Sequence, residues 1–160
     1  MAIAVSTTYP AAPDAVLAVL TAAEFLRERA AALSARVEEV SVGPGPETTV
    51  RLAAPTAGIP PVFARFVGSS VSVVERTGWS PDGAGGHRAD LDVRAEVFGR
   101  TVRVTGERRL LPDATGTRST VTGDAQVDAP LIGRQAESAV RELVGVVLRR
   151  EDELLRRRLA

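Results

Sequence analysis

Hydrophobic positions in the last thirty residues recur at helical spacing. At about 100° per residue, six apolar side chains fall within an arc of roughly 80°, namely Ile132, Ala136, Val140, Leu143, Val147 and Leu154. Polar side chains occupy the opposite side. The pattern predicts one long amphipathic helix from about Pro130 to Leu159, about 40 Å long at about 1.5 Å per residue. Its apolar stripe must be covered by the rest of the chain.

Upstream of this helix, alternation of apolar and polar residues is typical of β-strands. It predicts strands over 2–9, 36–43, 47–54, 70–80, 88–97 and about 102–111, and a seventh that ends at Val127. Two short helices separate the first two strands, the second capped by Thr21 with Glu24 as its capping-box partner. Six consecutive strands joined by short turns favour an antiparallel meander. We therefore expect a single α+β domain over residues 1–160, with a seven-stranded curved antiparallel sheet wrapped around the C-terminal helix.

A Pro-rich segment over residues 55–68 interrupts the strand rhythm. Gly58, Pro60 and Pro61 make it irregular, and it carries Phe63 and Phe66. An aromatic insertion of this kind can be a lid over a binding site or a loop that covers one end of the sheet. Both interpretations stay open from the sequence.

Composition excludes several classes of function. The formal net charge of zero gives no field that would attract nucleic acid or an anionic membrane. The chain has no Cys and no Lys, which removes disulfides, thiol nucleophiles, P-loops and Schiff bases. Its start does not resemble a signal peptide, and no run is long enough to span a membrane, so we expect a cytoplasmic protein. The bias towards Arg points to a GC-rich bacterial genome.

Candidate catalytic residues are few. His87 is the only His, and its place in a Gly-rich hairpin loop predicts an exposed side chain. With no Cys beside it, a zinc site is not expected, and no nucleophile elbow is present. The run Glu151–Asp152–Glu153, next to Arg156–Arg158, is interpreted as a solvated helix end. We therefore predict no catalytic residue, no metal and no cofactor.

Glu75 and Arg108 are the more informative charged residues. Each shares strand parity with apolar neighbours, Glu75 with Val71 and Val73, and Arg108 with Val102 and Val104. If parity holds, both point inward, where a charge needs a partner. They would then pair with each other or offer polar anchors to a bound headgroup. A β-bulge near Gly78 or Gly106 would instead turn them towards solvent.

Several short motifs, in their order along the chain, resemble the START-like superfamily, also called the birch-pollen-allergen-like or helix-grip fold. The motifs are Tyr9–Val16, Glu24–Leu26, Gly58–Pro60, Glu75–Trp79 and Asp128–Gly133. The resemblance is closest to an uncharacterised bacterial family within that superfamily. It implies a cavity between sheet and helix for a lipid, sterol or polyketide, although some members are cyclases and fold does not fix function.

Small residues on the inner face of the sheet support such a cavity. Ala89, Ala95, Gly106, Gly123 and Ala125 leave space unless the helix packs close, and we expect a pocket of at least about 300 Å³. The leading interpretation is a non-enzymatic carrier or sensor of an apolar small molecule. Its expected lining is Phe63, Phe66, Trp79, Val93, Val104, Val140, Leu143 and Val147.

Two alternatives remain open. The first is a cyclase-type enzyme that uses an inward, desolvated carboxylate such as Glu75. The second is an interaction module with a filled core, which acts through an exposed apolar patch or as a homodimer.

Overall fold

The computed structural model describes residues 2–43, 47–55, 70–97, 100–129 and 131–160, with the side chain of residue 97 left aside. The elements in chain order are β1 (Ala2–Tyr9), α1 (Pro13–Leu20), α2 (Ala23–Ala32), β2 (Arg36–Val42), β3 (Glu47–Pro55), β4 (Ser70–Asp82), β5 (Gly86–Val97), β6 (Arg100–Asp113), β7 (Gly116–Val127) and α3 (Gly133–Leu159). The Pro-rich segment with Phe63 and Phe66 lies outside the described residues.

The seven strands form one antiparallel sheet in the order β1-β7-β6-β5-β4-β3-β2. Strands β2 to β7 follow one another as a meander, and β1 pairs with β7 at the edge. Helix α3 lies along β7 and β1 and contacts α1 and α2. The predicted α+β architecture, a curved antiparallel sheet with a long C-terminal helix, is confirmed.

Two of the small residues on the sheet are explained by the strands themselves. Gly106 on β6 and Gly123 on β7 are direct register partners. A Cβ on Gly106 would sit 2.3 Å from the carbonyl oxygen of Thr122, far inside van der Waals contact. These glycines allow a close approach of two backbones, so they are not evidence of empty space under the helix.

The hydrophobic core fills one end of the sheet, next to the β4–β5 and β6–β7 turns. We call this region the filled end. The C-terminal part of α3 packs there against α1, α2 and the sheet, and the buried side chains are Tyr9, Val16, Leu20, Phe25, Trp79, Ala89, Leu110, Leu154 and Leu155. Leu155 and Phe25 are completely buried. The filled end therefore anchors the long helix.

The other half of the helix–sheet interface is packed differently. Between Gly133 and Arg150, α3 has no fully buried side chain. The inner-face residues Val73, Val93 and Val104 are likewise only half-buried. We call this region, formed by residues 133–150 of α3 and the inner face of β4–β6 around these valines, the open half.

Two local predictions were wrong. Thr21 does not cap α2, because it ends α1 and its hydroxyl donates a hydrogen bond back to the Leu17 carbonyl at 2.8 Å. Helix α2 begins after Ala22, without a side-chain cap. His87 is not fully exposed either: Nε2 lies 2.6 Å from Asp14 Oδ1, and the ring is 18% exposed. Helix α1, which carries Asp14, contacts β5, the strand of His87.

Candidate functional site

Four charged side chains from four different elements form a connected group under α3, which we call the ionic cluster. Arg29 on α2 donates through Nη1 to Glu151 Oε2 at 2.7 Å and through Nη2 to Glu75 Oε1 at 2.6 Å. Arg108 on β6 donates through Nη2 to Glu151 Oε1 at 2.5 Å and through Nε to Ser119 Oγ at 3.3 Å. Glu151 therefore receives one guanidinium on each carboxylate oxygen.

Burial makes these contacts strong. The Glu151 side chain is 2% exposed, and those of Arg29 and Arg108 are each 9% exposed. Burial alone would raise the pKa of Glu151, but the attraction of Arg108 and Arg29, with their hydrogen bonds, outweighs it and lowers the pKa to about 2. Burial opposes the charge of Arg29 as well, yet Glu75 and Glu151 raise its pKa. Glu151 and Arg29 are therefore both charged near neutral pH.

The ionic cluster lies between the filled end and the open half. Arg108 is the register partner of Ala89, which pairs with Trp79 in the filled end. Glu75 is the register partner of Val93 on β5. Its side chain is 22% exposed, more than any other member of the cluster. Glu75 thus carries the charged network into the open half.

The two predicted polar residues point inward, as strand parity predicts. No register shift occurs along β4, β5 or β6, so no bulge turns them outward. Glu75 and Arg108 do not pair with each other. They are joined through Arg29 and Glu151, which sequence reasoning missed. The interpretation of Glu151 as part of a solvated helix end was wrong, because α3 turns this side chain into the interface.

The predicted apolar lining divides among three places. Val93 and Val104 are direct register partners beside Glu75, and Val140 and Val147 are half-buried on α3. Leu143 on the same helix is 37% exposed. Trp79 is 5% exposed and lies in the filled end, and Phe63 and Phe66 lie outside the described residues.

Described residues line a cavity and a shallower depression on the protein. A cavity of about 190 Å³ lies between α3 and the inner face of β1, β6 and β7, and Arg108 lines it. A shallower depression of about 580 Å³ surrounds the start of α3, where Arg134, Gln135 and Glu137 make its lining largely polar. The first is smaller than the pocket of about 300 Å³ expected for an apolar ligand. Neither Val93 nor Val140 lines it.

The chemistry of the cluster does not favour proton transfer by Glu151. The carboxylate of Glu151, with its lowered pKa and two arginine partners, is not a proton donor near neutral pH. Glu75 is already hydrogen-bonded to Arg29. Among the described residues, no group of His, Asp and Glu side chains is arranged to hold a metal ion. No helix there is long and apolar enough to cross a membrane.

Solved structures place this architecture in a known class. A START superfamily protein from Mycobacterium smegmatis is 14% identical, with a TM-score of 0.57, and 99% of this chain and 96% of that chain are covered. For the STAR-related lipid transfer protein of Xanthomonas axonopodis the identity is 18%, the TM-score 0.56 and the coverage 96% and 82%. The Zhui aromatase/cyclase of Streptomyces sp. R1128 is 20% identical, with a TM-score of 0.53, and 99% of this chain and 90% of that chain are covered. At such identities the likeness shows the fold, and the fold is START-like.

The sequence itself gives the narrower assignment. Residues 4–159 match the family described as "Protein of unknown function (DUF2505)". The match spans nearly the whole chain, so the protein belongs to this family. No curated protein matches the chain.

Proposed function

We propose that this protein binds and carries an apolar small molecule in the open half, between the central strands and the first half of α3. The lipid, sterol and polyketide classes are the candidates. The observation that carries the proposal is the uneven packing of α3. Its apolar stripe continues from Leu154 back through Val147 and Val140, but full burial stops at Glu151. The apolar surface that remains is what an apolar ligand would cover.

Burial of this surface would supply the affinity. Covering apolar surface contributes about 25 cal/mol per Å², so each 100 Å² that a ligand covers contributes about 2.5 kcal/mol before the costs of association. Val93 and Val104 on the sheet face would form one wall, and Val140 and Val147 the other. Similar structures include a STAR-related lipid transfer protein and an aromatase/cyclase, which supports an apolar ligand.

Glu75 supplies the polar end of this site. Arg29 occupies its Oε1 at 2.6 Å, and no described residue donates a hydrogen bond to Oε2. A carboxylate oxygen at the edge of an apolar region accepts a hydrogen bond from a hydroxyl group. We therefore favour a ligand that carries a hydroxyl, such as a sterol or a polyketide, over a simple hydrocarbon. The cyclase interpretation stays a prediction, and so does the interaction module.

Thermal unfolding with a ligand panel tests the proposal. Fatty acids, sterols and aromatic polyketides are each added to the protein, and a ligand at a hundred times its Kd adds about 2.7 kcal/mol of stability. For a chain of this length that raises the Tm by about 5 °C or more. Val140→Glu should abolish the shift because it places a charge in the apolar wall. Arg141→Glu, its exposed neighbour, should keep the shift.

Two outcomes contradict the proposal. One is that no apolar compound of the panel raises the Tm of the unmodified protein. The other is that Val140→Glu and Arg141→Glu respond equally, which would put binding elsewhere.

A further inference from the structure

The cavity of about 190 Å³ is lined by residues of β1, β6, β7 and α3, and neither the valines of the open half on the sheet nor Val140 and Val147 are among them. Its apolar wall consists of Val5 on β1, Val121 on β7 and Leu148 on α3. Arg108 marks the boundary between the two regions, because it lines this cavity and also binds Glu151, whose second partner is Arg29. The cavity is therefore separate from the site proposed above.

Arg108 brings a hydrogen-bond donor that is not in use. Its Nε donates to Ser119 and its Nη2 to Glu151, but no described residue accepts a hydrogen bond from Nη1. In the part of the chain that the structure describes, every buried side-chain nitrogen or oxygen has a partner. Nη1 is consequently not sealed inside the protein, and Arg108 is one of the residues that line the cavity. Ser119 accepts from Nε and keeps its own O–H to donate.

The charges around the cavity do not cancel. Arg149 lines it from α3 and forms no ion pair with any described residue, whereas the lining carboxylate of Asp152 is bound by Arg156 Nε at 3.1 Å. Asp152 also accepts a hydrogen bond from Thr7 Oγ1 at 3.2 Å. Inside the ionic cluster two arginines balance two glutamates. One positive charge, that of Arg149, is left over on this side of the helix.

Size narrows the class of ligand. A dry cavity of about 150 Å³ is large enough for benzene, so a cavity of about 190 Å³ suits a molecule of about eight to ten non-hydrogen atoms. One side of the cavity is apolar, and the other carries a free guanidinium N–H, a hydroxyl and an unpaired arginine. Guanidinium groups bind carboxylates with strong, directional hydrogen bonds.

We propose that this cavity binds a small carboxylate with a short hydrocarbon body, such as an aromatic acid. The carboxylate accepts hydrogen bonds from Arg108 Nη1 and the Ser119 hydroxyl. Arg149 lies at the mouth and attracts the negative charge. The hydrocarbon body packs against Val5, Val121 and Leu148.

Calorimetric titration with benzoate, and with benzamide as its neutral isostere, tests the charge requirement. We expect benzoate to bind at least ten times more tightly than benzamide. Arg149→Gln should weaken benzoate about tenfold. Arg150→Gln should leave it unchanged, because Arg150 is also exposed but pairs with Glu153 at 3.2 Å. Both substitutions lie on the surface and leave the core intact.

A steric variant and a spectroscopic map locate the site. Val5 is 38% exposed at the edge strand, so Val5→Phe fills the cavity without removing a charge and should abolish benzoate binding. In methyl NMR spectra, benzoate should shift the signals of Val5, Val121 and Leu148 and leave those of Val93 and Val140 in place.

Three results would overturn the inference: no benzoate binding at 10 mM, equal binding of benzamide, or an unchanged affinity in Arg149→Gln. Shifts at Val93 and Val140 instead would also overturn it, while leaving the apolar site of the open half intact. If no apolar compound raised the Tm of the unmodified protein while benzoate still bound, the result would reject the proposed function alone.

Discussion

Glu151 on α3 and Arg108 on β6 meet across the helix–sheet interface, with Oε1 and Nη2 2.5 Å apart and both side chains less than a tenth exposed. Arg29 holds the second oxygen of Glu151 at 2.7 Å. The pair links the middle of the sheet to the point on α3 where full burial begins.

The stability of the protein should depend on the ionisation of Glu151. Its pKa in the folded protein is about 2, below the ordinary value of 4.5. A depressed carboxyl pKa contributes stability that is present above pH 4.5 and is lost as the pH falls towards 2. The contribution is of the order of 3 kcal/mol. Urea denaturation between pH 6 and 2 should show a flatter pH dependence for Glu151→Gln than for the unmodified protein.

Glu153→Gln is the matched control for this measurement. Glu153 lies two residues further along α3 with a 52% exposed side chain, so its removal should leave the pH profile unchanged. If Glu151→Gln and the unmodified protein lost the same stability between pH 4.5 and 2, this would contradict the lowered pKa of Glu151 as the source of the pH dependence.

Removing Arg29 should be costly because it leaves the carboxylate of Glu75 without a partner and that of Glu151 with Arg108 alone. Arg29→Met should destabilise the protein by about 3–5 kcal/mol in urea unfolding, the usual effect of breaking a buried ion pair from one side. Arg27→Met on the exposed side of the same helix should change stability by less than about 0.5 kcal/mol. The double variant Arg29→Met, Glu151→Met should lose less than the sum of the two single changes. Additive losses would mean that the two side chains do not interact.

The two halves of α3 should respond differently to truncation. Leu155 is completely buried in the filled end, and Leu143 is 37% exposed in the open half. Leu155→Ala should cost about 2–5 kcal/mol, as in other packed cores, and Leu143→Ala less than about 1 kcal/mol. Chemical denaturation of the two variants compares them directly. Similar losses at both positions would show that the open half is as tightly packed as the filled end.

Gly106 should not accept a methyl group. Because its Cβ would lie 2.3 Å from the Thr122 carbonyl oxygen, Gly106→Ala forces β6 and β7 apart and should destabilise the protein by at least about 1–3 kcal/mol. Gly83 in the β4–β5 turn is the control, because nothing lies within 4 Å of a Cβ there. Thermal unfolding should show a lower Tm for Gly106→Ala alone, and an unchanged Tm would disprove the close approach.

The fold could be predicted because most elements show a clear periodicity of hydrophobic residues. The alternation in β5 and the helical stripe of α3 identify their elements, and the order of the elements leads to the sheet topology. Strand parity also predicted the correct face of the sheet for Glu75 and Arg108. What periodicity cannot show is which residues meet across elements that are distant in sequence, and Arg29 and Glu151 are 122 positions apart.

A signal for the two missed residues was nevertheless present. Glu151 follows Val147 by four residues and precedes Leu154 by three, so it lies beside the apolar stripe of α3. Arg29 follows Phe25 by four and precedes Leu33 by four on α2. A single charge within an apolar stripe needs a partner when buried, and two such charges of opposite sign predict each other. Asp14 and His87 gave no comparable signal, since both lie at element ends.

The position of Glu151 along α3 has a mechanical consequence. Both arginine contacts and the packing of Leu154 and Leu155 lie in the last third of the helix, so buried contacts hold α3 mainly at its C-terminal end. The first turns of α3 lie furthest from these contacts. We therefore expect the residues near Gly133 to move outward most easily, and a molecule to enter by that route while the contacts of Glu151 stay intact.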